Sequence, residues 1–300
     1  MFQPGDAFMH RIVGGTFVLA LGLALAEDEG QDKPATSAEQ YNALLMEQEK
    51  QAQDLSNART VEERKEVGAR LETLLLKFLE LAEKNPKDPV ALEALIQTLT
   101  WVNSTAFPAG GKDSPGNRAL ALLLRDHVRS DKLGPVCQRI LFGFHKSHET
   151  FLRAVLEMNP HREVQALACL SLAQFLNDRL LRLDVLEDQD LPDLAERYHH
   201  VFGKEYLEEL QRQDREAVAK EAESLFARAA EKYGDVRIPV TYFGSGGTVG
   251  EKAEAELFQI RHLAVGNVSP DIEGEDQDGK CFNLSDYRGK VVLLDFWNHL

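Results

Sequence analysis

The chain has 300 residues, 43% of them hydrophobic, enough apolar material for a sizeable core, and this excludes a disordered protein. Forty-nine acidic against 34 basic residues give a formal net charge of −15. Phosphate backbones and anionic membrane surfaces repel such a chain, and no basic stripe with interleaved aromatics offsets the charge, so nucleic acid is not an expected partner.

At the N-terminus His10 and Arg11 precede the apolar run Ile12 to Leu25, and Ala24-Leu25-Ala26 supplies a small-residue cleavage site before Glu27-Asp28-Glu29. This order reads as a secretory signal peptide over residues 1–26, with Met9 as a second candidate start. The run is short for a transmembrane helix, the alternative being an uncleaved anchor, and no cysteine follows Ala26 to mark a lipoprotein. The expectation is export to the periplasm or cell envelope, with no membrane span after cleavage. Residues 27–36 are an acidic, polar linker.

Residues 37–264 read as helices. Ser37-x-x-Gln40, Thr60-x-x-Glu63 and Thr248-x-x-Glu251 have the form of capping boxes. Val67, Leu71, Leu74, Leu75, Phe78, Leu79 and Ala82 recur at helical spacing, which predicts one buried face. Breaks are expected at Asn85-Pro86, Phe107 to Gly111, Gly134-Pro135, Asn159-Pro160 and Tyr242 to Gly247. Helices joined by short turns imply an antiparallel stack. His161 to Ala173 resembles the second-half helix of a HEAT-like repeat, and Glu221 to Tyr233 a tetratricopeptide-type helix. Neither recurs at a fixed period, so the expectation is an irregular helical-repeat domain.

Several groups in this region carry a possible chemistry. His145-x-x-His148-Glu149 places two imidazoles near one helix face, yet zinc takes three or four protein ligands and no partner cluster is evident, so a solvated helix face is the favoured reading. His199 and His200 are adjacent, so their rings point apart on a helix. Gly244-Ser-Gly-Gly247 precedes a helix as phosphate loops do, but Gly250-Glu-Lys252 lacks the Lys-Ser/Thr pair, and a flexible connector is favoured. Cys137 and Cys169 lie in apolar helical contexts and are expected to be packed thiols, with a disulfide left open.

Residues 265–300 are of another kind. They run Val265 to Pro270-Asp271-Ile-Glu-Gly274, then Asp278-Gly279-Lys280, then Leu284-Ser-Asp286-Tyr-Arg-Gly289-Lys290, then Val291-Val-Leu-Leu-Asp295-Phe296-Trp297. Val291 to Trp297 is a near-continuous apolar run of the kind a two-sided parallel strand shows. The segment resembles the TlpA-like thiol-disulfide oxidoreductases and, more loosely, the antioxidant redoxins of the alkyl hydroperoxide reductase type.

The resemblance implies an incomplete α/β thioredoxin-like fragment, a β-hairpin plus one central strand, attached to a mostly α chain. In that family Gly-Lys-Val-Val-Leu-x-x-Phe-Trp is followed, after three intervening residues, by the first cysteine of C-x-x-C. Here those three are Asn298, His299 and Leu300, so the nucleophile is expected at the next position, as cysteine or, read through UGA, as selenocysteine. The chain itself has no C-x-x-C, its three cysteines being Cys137, Cys169 and Cys281.

By resemblance Asp295 is the buried acid that moves a proton during resolution of the mixed disulfide, and Trp297 is a wall of the site. The alternative for Asp295 is a strand acid paired with Lys290 or facing water. Cys281 falls on the hairpin, without a second cysteine in reach, and reads as an ordinary strand residue. The family uses no cofactor beyond a reducing thiol partner. Two functions therefore stand: an exported thioredoxin-like oxidoreductase or redoxin lacking its catalytic pair in these residues, and a helical-repeat interaction module of the cell envelope that binds envelope proteins.

Overall fold

The computed structural model describes residues 35–102, 114–141, 145–188, 190–240, 246–276 and 278–295. The expected signal peptide, most of the linker, the break at Phe107 to Gly111, and Phe296 to Leu300, Trp297 among them, lie outside these residues.

The described chain is mostly α, with eleven α-helices and one two-stranded antiparallel sheet. The helices are α1 (Ser37–Asn57), α2 (Val61–Lys84), α3 (Pro89–Val102), α4 (Pro115–His127), α5 (Gly134–Arg139), α6 (Lys146–Met158), α7 (Arg162–Glu187), α8 (Pro192–Phe202), α9 (Lys204–Gln211), α10 (Arg215–Tyr233) and α11 (Val249–Phe258).

Capping chemistry sets the helix starts. Thr60 with Glu63 and Thr248 with Glu251 form full capping boxes at α2 and α11, as expected. The first box is Thr36 with Glu39, one residue before the expected Ser37 and Gln40. A carboxylate at N3 satisfies the amide of Thr36 at 2.7 Å and sits at the positive end of the helix, where an amide side chain gains less. Gln40 instead donates to Ala35 O at 2.6 Å.

The seven residues expected on the buried face of α2 are all buried, with Phe78 meeting Tyr41 of α1 edge-to-face at 5.8 Å. Polar pairs across neighbouring helices fix their antiparallel sense: Glu47 with Lys77 and Asp54 with Arg70 between α1 and α2, and Arg162 with Asp235 and Arg179 with Gln213 at opposite ends of α7 and α10.

The centre of the stack is α7. From Val164 to Ala173 nearly every side chain is buried, because helices flank it on several sides; Ala166, Ala168, Cys169, Ser171 and Ala173 are small enough for close approach. Cys169 Sγ lies 3.5 Å from Leu225 O on α10. The HEAT-like segment is thus the first half of a helix that continues to Glu187. At the Asn159-Pro160 break, buried Asn159 donates to Val128 O at 2.7 Å and Ser130 O at 2.8 Å, tying the α6–α7 turn to the chain after α4. Gly134-Pro135 starts α5 rather than separating long helices, with the proline in the first turn, where its missing N–H leaves no bond unmade.

Beyond Leu257 no described residue is buried. α11 continues into a π-turn, Gln259–Leu263, and then the expected hairpin forms: β1 (Glu273–Glu275) pairs with β2 (Cys281–Asn283) in the register Gly274 opposite Phe282. The expected central strand does not follow. Residues 291–295 join no sheet, and Val291 and Leu293 are fully exposed, since a central strand needs neighbours on both edges and the described residues supply none.

Removal of residues 265–300 should therefore leave the melting temperature of the helical stack nearly unchanged and raise solubility, because among the described residues it takes away exposed apolar, β-prone chain and no buried side chain. Thermal denaturation followed by circular dichroism checks this, and a drop of ten degrees or more would mean that the tail is built into the stack.

Candidate functional site

Of the residues singled out for redox chemistry, Asp295 and Cys281 stand at the surface, and Trp297 lies outside the described residues. Asp295 is exposed and has no salt-bridge partner among the described residues, Lys290 included; the burial that the resemblance implies for it requires strands beside residues 291–295. Lys290 lies over the ring of Tyr287 instead, 5.7 Å from its centroid. Cys281 is exposed on β2.

The motif residues around it do have definite local tasks. Asp271 accepts from Ser285 N at 2.8 Å and from Ser285 Oγ at 2.6 Å, which clamps the base of the hairpin and holds the Asp271 carboxyl below its ordinary range. Asn283 and Asp286 cap the 3-10 turn that follows β2. Gly279, with φ +75°, makes the hairpin turn, a conformation that L side chains rarely adopt.

The other two thiols are the packed groups expected. Cys137 and Cys169 are buried and free, and burial pushes their thiols up to about 12 and about 11 respectively. Neither is a thiolate near neutral pH.

The segment His145 to Glu149 belongs to a charged layer between α6, α7 and α10, with α8 and α9 on its outer side. Apolar Phe151, Leu152, Val155 and Leu156 hold α6 in the core and bring its first turn against α7. There His148 is only 3% exposed. Glu149 pairs with Arg153 at 2.8 Å and with Arg179 of α7. Arg179 has a side chain 2% exposed, stacked over Phe175 at 5.1 Å. Arg153 reaches both carboxylate oxygens of Glu221 on α10, at 2.6 and 3.0 Å. Next to it Arg182 bonds Asp178 at 2.5 Å and Tyr198 of α8 at 3.3 Å.

Burial works against the charge on Glu149, but Arg179 and Arg153 outweigh it and its carboxyl lies below the ordinary range. Burial also raises the Tyr206 phenol to about 12. The expected solvated helix face is thus only partly solvated: His148 and Arg179 are buried against α7, whereas Arg153 and Glu221 at the rim have side chains 41% and 42% exposed.

No group of three or more His, Cys, Asp or Glu that could hold a metal ion occurs among the described residues. Both acids of the layer on α6 and α7 are tied to arginines, and the His145 and His148 rings lie 4.6 Å apart, tilted by 41°. The sequence reading missed Arg153, Arg179, Arg182 and Glu221. Arginines spaced three apart inside the apolar run after Leu176 were the available signal.

The glycine-rich segment before α11 does not cradle an anion in its described part. Val249 N donates to Val236 O and Gly250 N to Gly234 O, while Thr248 N and Glu251 N are used in the capping box. With those four amides engaged internally, the helix start offers no phosphate nest there. Of the adjacent histidines, His199 is half-buried on α8, and the side chain of His200 is outside the described ones.

A shallow groove of about 250 Å³ between α1 and α2 is lined by Asp54, Asn57, Glu63, Glu66, Val67 and Arg70. Its polar groups are largely committed, Glu63 to the cap of α2 and Arg70 to Gln51 and Asp54. No described helix is long and apolar enough to cross a membrane. No protein-family model, curated protein or solved structure matches the chain.

Proposed function

We propose that the chain is an exported member of the TlpA-like thioredoxin-fold oxidoreductases and redoxins, with residues 37–264 as a helical-repeat part that binds envelope proteins and residues 265–300 as the opening of its redox domain. The observation that carries this reading is the local work of the motif residues. Asp271 and Ser285 close the hairpin, Gly279 turns it, Asp286 caps the turn that leaves it, and Gly289, with φ +84°, precedes the apolar stretch. Residues 291–295 then present Val, Val, Leu and Leu to solvent, as a strand awaiting neighbours does.

Thiol–disulfide exchange needs a thiolate that attacks one sulfur of the substrate and a second thiol that resolves the mixed disulfide. The 300 residues contain no C-x-x-C, and two of their three thiols are buried. The purified 300-residue chain should therefore reduce insulin-type disulfides no faster than its Cys281→Ser variant. A clear excess over that variant would sink the expectation.

The decisive experiment is to read the coding RNA beyond the Leu300 codon. A cysteine codon, or a UGA followed by open frame, at the next position and a cysteine three codons later supports the oxidoreductase. A stop followed by untranslated sequence overturns it. In that case the second reading, an envelope interaction module, takes its place; it is favoured by the helical stack burying its core with no described residue beyond Ile260, itself only partly buried.

A further inference from the structure

We propose that α8 and α9 form a flap on the helical stack that opens on acidification, with His145 as its trigger. This inference concerns the helical part alone and stands whether or not residues 265–300 belong to a redox domain.

The flap has a core of its own. Leu183 near the end of α7 packs with Leu207 and Leu210 of α9, and Leu186, Tyr198, Phe202 and Tyr206 surround them, apart from the main core. α8 contributes no fully buried side chain among those described, and α9 only these two leucines. Few buried apolar groups and a thin attachment are the marks of a segment that opens locally while the rest stays folded. Gly203, with φ +85° and open space around the position a Cβ would take, joins its two helices, so that α8 can turn against α9 and lift Phe202. That backbone state changes at little steric cost only in glycine.

The charged layer lies beneath. His145, just before α6, has its ring 4.9 Å from Phe202 of α8, edge-to-face, and 4.6 Å from His148. The titratable and charged groups of the described elements meeting there are His148, Glu149 and Arg153 on α6, Asp178, Arg179 and Arg182 on α7, Tyr198 and His199 on α8, and Tyr206 and Glu209 on α9. Glu149 is bound to Arg153 and Arg179, and Asp178 to Arg182, so these two carboxylates are committed to arginines; Glu209 of α9 acts on the Tyr206 phenol.

With the flap closed, burial first and Arg182 second push the His145 imidazole down to about 4. With Phe202 lifted away, the ring meets water and returns toward its ordinary value near 6.5. The sign follows from linkage. Above about pH 6.5 both states are neutral at His145 and the flap is fully held; as pH falls toward 4 the open state binds a proton that the closed state refuses, and closure is lost progressively. For these two values the opening constant rises about twenty-fold between pH 7 and pH 5. Glu149, whose carboxyl lies below its ordinary range, stays ionised across that interval.

Hydrogen exchange on the full chain tests the proposal. After correction for the intrinsic pH dependence, amides of residues 192–211 should exchange about twenty-fold faster relative to closure at pH 5 than at pH 7, while residues 162–176 keep their protection. The His145→Phe variant, which keeps an aromatic ring against Phe202, should abolish the step. Equal protection at the two pH values, or a step that survives in His145→Phe, overturns the proposal. Should that variant fold poorly, the imidazole titration of His145 in the unaltered protein, followed by nuclear magnetic resonance, decides: a midpoint below 5 supports the trigger and one near 6.5 overturns it.

Discussion

Glu149→Ala should destabilise the helical stack by about 3 kcal/mol at pH 7, the lower end of what removing one partner of a buried ion pair costs. The lower end applies because the Glu149 side chain is 22% exposed, whereas that of Arg179 is 2% exposed. The loss is not that of one contact. With Glu149 gone, Arg179 keeps its charge between Phe175 and the core, with Gln213 at 3.4 Å as a weak remaining acceptor. In a domain of this size the melting temperature should fall by roughly 6–12 °C.

Glu149→Gln, which retains an acceptor for Arg179 without the charge, should fall between the two. The double variant Glu149→Leu with Arg179→Met should regain most of the loss, since a buried ion pair exchanged for apolar groups of similar volume is often neutral. Calorimetry of the three variants measures this. A cost under 1 kcal/mol for Glu149→Ala would mean that water reaches Arg179 and screens the pair. The pH dependence has a definite sign: the folded carboxyl is below its ordinary value of 4.5, so the stabilisation is present above that value and is lost as pH falls through the folded one. This window lies below that of His145, so on acidification the flap opens before the layer beneath it weakens.

What the sequence displays about this molecule is what short-range periodicity can encode. The face of α2 from Val67 to Ala82 is legible because each turn repeats the same demand, and all seven residues are buried. The caps at Thr60 and Thr248 are legible because their chemistry is complete within four residues. At α1 two such patterns are offset by one residue, and only the stronger acceptor at N3 separates them.

Long-range partners are a different matter. The buried Arg179 donates to Glu149, thirty positions earlier, and to Gln213, thirty-four later, which no local window joins. The apolar run at residues 291–295 reads as a strand for the same reason that it is not one among the described residues: strand identity lies in neighbours. The histidines His145 and His148 look alike in the sequence as ligands, surface groups or core rings, and only the helices above them decide.

The glycines before α11 show the same ambiguity, and they lead to the second large effect. Gly250→Ala should destabilise the stack by about 2 kcal/mol, as overpacking at a tight contact does. Local propensity argues for the opposite sign, because alanine in the first turn of a helix is better than glycine by up to about 1 kcal/mol. The contact decides. A Cβ on Gly250 would stand 2.9 Å from both Cα and O of Gly234, backbone atoms that cannot rotate away.

That approach is where the end of α10 meets the start of α11, and three backbone bonds depend on it: Gly250 N to Gly234 O at 3.1 Å, Val249 N to Val236 O at 2.9 Å and Ile238 N to Gly247 O at 2.9 Å. Forcing the helices apart lengthens all three and loosens buried Val236, Ile238 and Val249 with them. Urea denaturation of Gly250→Ala, with an alanine at exposed Glu254 of the same helix as the propensity control, separates the two effects. If Gly250→Ala proved as stable as the unaltered chain, α11 would have to have room to shift, and the close approach would be incidental to the fold. If it is destabilised as expected, the glycine is there to admit a neighbouring backbone, and its resemblance to a phosphate loop is one of composition alone.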